Sequence, residues 1–151
     1  MGFAMVLGGA VGGATKETIL TLDNFGRELG VALQMFDDLG NVLGIREPSK
    51  RYEDLTLYRS SWAWACAARM SSPNGYQQFV SAVNQLPDTR ELEAWINQHN
   101  LIQTMREGAR NQLDAAYSRL RTGLQSQHVR WSPRAFEELR KLGEEIAVAY
   151  G

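Results

Sequence analysis

Phe25-Gly26-Arg27-Glu28-Leu29-Gly30-Val31-Ala32-Leu33-Gln34-Met35-Phe36-Asp37-Asp38-Leu39-Gly40-Asn41-Val42-Leu43 is the stretch whose periodicity decides the fold. Its apolar residues Leu29, Leu33, Phe36 and Leu43 recur at intervals of three, four and seven, the spacing of one helical face. At about 100° per residue with Gln34 as zero, Asp37 falls near −60°, Asp38 near +40° and Asn41 near −20°. Four oxygen-bearing side chains thus share an arc of about 100°, and Arg27 lies inside it. The other faces carry leucine, phenylalanine and the small Gly26, Gly30 and Gly40. A helix apolar on most sides is a buried helix. An unpaired carboxylate there would cost several kcal/mol. Asp37 and Asp38 must therefore face water, a cation or a basic partner. Adjacent aspartates flanked by Gln and Asn are hard oxygen donors that suit Mg²⁺, which takes one or two protein carboxylates and completes its shell with water and phosphate oxygens. The competing reading is a solvated stripe on a surface helix.

Outward from this segment the helical period persists. Only four prolines punctuate the chain, Pro48, Pro73, Pro87 and Pro133, and no stretch alternates with the period of a strand. The spacing predicts an all-α protein, a helical bundle with helices over 3–14, 16–43, 52–70, 75–86, 90–98, 101–124 and 133–150. A polar loop is expected over 45–50 and a turn over 71–74. Asp88 with Glu91 three residues on reads as a capping box. Ser132-Pro133 reads as a cap followed by a first-turn proline. Gly8, Gly9, Gly12 and Gly13 in the first helix point to close packing against a neighbour, because the spacing matches neither a Walker loop nor a dinucleotide-binding loop.

Composition excludes several classes. With 151 residues the chain has the length of one domain, and 16 Lys and Arg against 17 Asp and Glu give no general attraction to nucleic acid or anionic membrane. One cysteine, Cys66, excludes an internal disulfide framework, and it reads as a core thiol among alanines. His99 and His128 lie too far apart for a zinc-ligand pair. The longest nearly uncharged stretch, Gly2 to Thr15, is too short to span a bilayer and lacks a basic leader, so a cytoplasmic protein is expected. Trp62 and Trp64 differ by two and point to different helix faces. The arginines Arg106, Arg110, Arg119 and Arg121 read as a solvated face.

The pattern from Phe25-Gly26 through Leu29-Gly30, Gln34 and Asp37-Asp38 to Asn41 resembles the second aspartate-rich motif of the trans-isoprenyl diphosphate synthases, the polyprenyl synthetase family. That family commonly has Asp at the last position, where this chain has Asn41. Downstream, Ser49-Lys50, Asp54 and Arg59 stand where the family has Gly-Lys, Asp and Lys. The resemblance is specific over about 25–59, and the helices beyond are similar to the family's C-terminal half. It implies the C-terminal half of an isoprenoid-synthase-type fold, with 1–151 forming a single partial domain. It implies Mg²⁺ held by Asp37 and Asp38, with Asp37, Asp38 and Lys50 in catalytic roles. Gln34, Asn41, Lys50 and Arg59 would bind the diphosphate or line the substrate cavity. The implied reaction ionises an allylic diphosphate and adds the cation to isopentenyl diphosphate.

The family's first Asp-Asp-x-x-Asp motif occurs nowhere in this sequence, which has Asp37-Asp38 as its one adjacent aspartate pair. The resemblance therefore implies a partner chain that supplies the N-terminal half. A helical half-domain should leave an apolar face uncovered, from Phe3 to Val11 and along the second helix, so an oligomer is expected. Two other readings share these residues. One is a non-catalytic regulatory subunit of a full-length synthase, motivated by the missing first motif and by Asn41. The other is part of a cyclising terpene synthase of the same fold.

Overall fold

The computed structural model describes residues 1–45, 47–127, 129 and 131–150; His128, whose spacing was weighed above, lies outside them. The described residues form eight α-helices and no strand, an all-α protein. They are α1 (Gly2–Val11), α2 (Lys16–Leu43), α3 (Glu53–Thr56), α4 (Trp62–Met70), α5 (Pro73–Val83), α6 (Arg90–Gln98), α7 (Leu101–Ser126) and α8 (Pro133–Tyr150), with a 3-10 turn over Pro48–Lys50. Among the described residues, no helix is long and apolar enough to cross a membrane.

One expected helix is two. The apolar pattern over 52–70 breaks after Thr56 because α3 ends in a left-handed cap. The Tyr58 N–H donates to the Leu55 carbonyl and the Arg59 N–H to the Asp54 carbonyl, with Tyr58 at φ 51°. This paired arrangement closes a helix and turns the chain away. Ser61 then takes an extended conformation, from which α4 starts. Two caps also differ. The Ser72 hydroxyl accepts from the Gly75 N–H, so α5 begins at Pro73 rather than at 75. Thr89, not Asp88, precedes α6, and the Asp88 carboxylate instead accepts from the Arg90 N–H and guanidinium.

The chain packs as two compact units. The first comprises 1–34 and 109–149. Its core gathers Phe25, Leu29, Leu113, Ala116, Tyr117 and Leu120. The Tyr117 hydroxyl donates to the Leu139 carbonyl, and the Tyr117 ring packs on Phe25 and Phe136. α1 lies along the first half of α2, and they meet through bare backbone at one point: a Cβ at Gly26 would stand 2.7 Å from the Gly2 Cα. α1 buries none of its residues. Phe3, Leu7 and Val11, spaced by four, are 80%, 53% and 83% exposed.

The second unit comprises 35–108 and 150, of the described residues. Its interior is built on α4, α5 and α6, with Phe79 and Trp95 ring centres 4.7 Å apart and Cys66, Leu92, Ile96 and Met105 around them. The Trp95 indole N–H donates to the Gly75 carbonyl, so the aromatic core leaves that donor satisfied. The expectation for Cys66 holds: it is fully buried, and burial pushes its thiol up to about 11.

Candidate functional site

α2 enters the second unit at Met35 and contributes Phe36, Leu39 and Val42 to its core. That inward face turns Asp37 outward and Asn41 to the flank. Gly44 ends the helix at φ 70°, a conformation open to glycine at little cost, and the Gly44 and Ile45 N–H groups both return to the Gly40 carbonyl. A Cβ at Gly44 would approach the Arg51 side chain to 3.1 Å. The chain therefore reverses tightly and lays residues 50–54 against the end of α2.

Asn41 fastens that segment. Its Nδ2 donates to the Lys50 carbonyl (3.2 Å), its Oδ1 accepts from the Asp54 N–H (3.4 Å), and its own carbonyl accepts from the Tyr52 N–H (3.2 Å). Between these bonds Tyr52 stands at φ 65° with its ring buried and the Arg51 guanidinium 4.5 Å from the ring centre. A non-glycine residue in this region costs about 1–2 kcal/mol, so the surrounding bonds must hold it. Burial raises the Tyr52 phenol above its ordinary range.

The result is a hollow of about 210 Å³ lined by Asp37, Asn41, Glu47, Lys50, Asp54 and Arg59, together with Gly40, Gly44 and Glu53. Pockets that enclose a whole drug-sized ligand run to roughly 300–1,000 Å³. This one has the size of a head-group site. Among the described residues that line it, four carboxylates face two cations. Lys50 Nζ lies 2.6 Å from Glu47 Oε2, and Arg59 reaches Asp54 at 3.1 Å and Glu53 at 3.3 Å. The hydrogen bond that Lys50 donates to Glu47 raises the Lys50 pKa, and the one that Arg59 donates to Asp54 raises that of Arg59, so both stay protonated. Taken together, these described acids outnumber the described cations and would repel a free phosphate anion that comes without a bound cation.

The two aspartates of the adjacent pair part company. Asp37 is exposed and lines the hollow. Asp38 is only 5% exposed, and its Oδ2 accepts from the Trp62 N–H at 2.5 Å. It caps α4, whose own Ser61 side chain makes no capping bond. Its negative charge also complements the positive end of that helix. The Trp62 indole N–H donates to the Met105 carbonyl, and the ring fills the space beside Gly108, where a Cβ would come to 2.6 Å. Asp38 is thus not among the residues that line the hollow.

Of the residues singled out in the sequence, the structure brings together Asp37, Asn41, Lys50 and Arg59. Gln34, exposed on α2, belongs to the first unit and is not part of this lining. Glu47 and Glu53 line the hollow without having been singled out. Their spacing of three from Lys50 on either side was the available signal. Among the described residues, no three His, Cys, Asp or Glu side chains form a group that could hold a metal ion. Comparison of the chain with protein-family models, with curated proteins and with solved structures returns no match.

Proposed function

We propose that the chain is the C-terminal part of a prenyltransferase that makes linear isoprenyl diphosphates, with a partner chain supplying the first aspartate-rich motif. One observation carries this reading: Asp37, Asn41, Lys50 and Arg59, which resemble the family's motif in sequence order, line one hollow of head-group size. The donor set fits Mg²⁺. Its charged oxygens are carboxylates, and the ion typically takes only one or two protein carboxylates while phosphate oxygens and water complete its shell. That no three His, Cys, Asp or Glu side chains among the described residues form a metal-holding group is compatible with that coordination.

Asp37 would hold the ion, and the role first given to Asp38 narrows to fixing α4 beside it. Bound there, the metal would supply positive charge against a departing diphosphate. Lys50 and Arg59 would turn from Glu47, Glu53 and Asp54 toward the diphosphate oxygens. Their charge-assisted bonds would strengthen as negative charge builds on the leaving group, which is the condition for lowering a barrier. The hollow is polar, so the hydrocarbon of an allylic diphosphate, and the isopentenyl diphosphate it would alkylate, require walls from elsewhere in the assembly. The exposed Phe3, Leu7 and Val11 stripe is an apolar surface of the kind that partner chains cover.

The test mixes the chain with candidate N-terminal partners, Mg²⁺, an allylic diphosphate and isopentenyl diphosphate. Product formation should be lost in Asp37→Ala and reduced in Lys50→Ala and Arg59→Ala. A competent mixture indifferent to Asp37→Ala would refute the assignment. The pairing of both cations with acids of the same hollow favours a second reading, a non-catalytic subunit of a synthase. On that reading the chain alters a full-length partner's product length, and Asp37→Ala leaves the alteration intact.

A further inference from the structure

We infer that Asn41 is a positioning residue, a neutral clamp that sets Lys50 and Asp54, and through Asp54 the Arg59 guanidinium, for anion binding in the hollow. Its three bonds bracket Tyr52: the Lys50 carbonyl two residues before it, the Tyr52 N–H itself, and the Asp54 N–H two residues after it. Tyr52 occupies the left-handed region, which a tyrosine does not adopt without outside support. The clamp therefore holds a turn that would otherwise relax. Relaxation would move the two residues that flank the turn and line the hollow.

The chemistry requires an amide. One side-chain bond of Asn41 is donated and the other accepted, and only a group with both functions makes the two at once. A carboxylate at this position accepts but cannot donate, and it sets a negative oxygen against the Lys50 carbonyl. A protonated carboxyl regains the donor. An acid placed here should therefore act as a pH-controlled latch that the native amide is not. Among the described residues, the charged groups sharing the hollow with it are Asp37, Glu47, Glu53 and Asp54, which would raise its pKa, and Lys50 and Arg59, which would lower it.

The ligand half of this inference rests on the diphosphate reading above; the clamp does not. The experiment titrates the chain and its Asn41→Asp variant with magnesium pyrophosphate by calorimetry at pH 7.5 and pH 4.5. It also follows exchange of the Asp54 and Tyr52 amide protons, each compared with wild type at the same pH. At pH 7.5 the variant should bind about tenfold more weakly, the scale of one or two lost hydrogen bonds. Its two amides should exchange faster. At pH 4.5 both differences from wild type should shrink to within about twofold, because the acid then donates as the amide does. Asn41→Leu, with neither function, should be weakened equally at both pH values. Equal affinity and exchange in wild type and Asn41→Asp at pH 7.5 would overturn the clamp, and so would a deficit that persists unchanged at pH 4.5. If wild type itself ignores magnesium pyrophosphate, the diphosphate reading fails, and the exchange rates alone decide the clamp.

Discussion

Replacing each aspartate of the adjacent pair by alanine should give opposite phenotypes. Asp38 is 5% exposed and satisfies the first N–H of α4, where Ser61 offers no side-chain substitute. A hydrogen bond to a charged group contributes about 1.5–3 kcal/mol, and loss of a helix N-cap costs about 0.5–2 kcal/mol. These are two descriptions of one contact and do not add. Asp38→Ala also leaves the Trp62 N–H without that acceptor, so a loss of about 2–3 kcal/mol is expected. For a chain of this length each kcal/mol lowers the midpoint by about 2–4 °C, placing the variant roughly 4–12 °C below wild type. Asp38→Asn keeps an acceptor and loses the charge at the helix end, a smaller cost of about 0.5–1 kcal/mol. Asp37 is exposed, and Asp37→Ala should stay within about 0.5 kcal/mol of wild type. Urea titration followed by far-ultraviolet circular dichroism ranks the four proteins. An Asp38→Ala midpoint equal to that of wild type, or an Asp37→Ala midpoint as low as that of Asp38→Ala, would refute the division of roles.

Gly26→Ala should destabilise the first unit by about 1–3 kcal/mol, the usual cost of forced overpacking, because the new Cβ meets backbone at Gly2 that cannot rotate away; limited proteolysis should cut α1 from the variant first. Cys66, fully buried with its thiol raised to about 11, should resist a thiol reagent at pH 8 in the native protein and react after addition of urea. The Asp88 carboxyl, held at about 2 chiefly by its side-chain hydrogen bond from Arg90, should titrate well below its ordinary value in a carbon-detected NMR experiment. The sign follows: the folded carboxyl loses its proton more readily than the unfolded one. The contact therefore supports the folded state above the ordinary carboxylate range and is lost as pH falls toward 2. Asp88→Asn should remove that pH dependence.

The helices were legible where an apolar face repeats, as in α2 and α7, because burial of that face is what the period records. The break between α3 and α4 was not. It depends on a tyrosine at φ 51° whose own N–H returns to the Leu55 carbonyl and whose successor Arg59 returns its N–H to the Asp54 carbonyl, and nothing in Tyr58 as a residue type announces that backbone. In the candidate site, the helical arc put Asp37, Asp38 and Asn41 together on one side of α2, whereas the structure exposes Asp37 and buries Asp38, a difference the arc does not carry. Which of them is buried depends on where α4 begins, a tertiary fact. Lys50 and Arg59 came from resemblance rather than period, since they lie on a turn and beyond a helix end. Their pairing with Glu47, Glu53 and Asp54 is local, within six residues along the chain, whereas it takes the reversal at Gly44 to lay that segment beside Asp37 and Asn41.

Trp62 carries a practical consequence. Its peptide nitrogen is tied to Asp38, the immediate neighbour of Asp37, and its indole nitrogen to Met105. The fluorophore is thus joined to the residue beside the proposed ligand contact through a half-buried hydrogen bond. In a variant with Trp64, Trp95 and Trp131 changed to phenylalanine, the emission of the remaining indole would report events at Asp37 without any added dye.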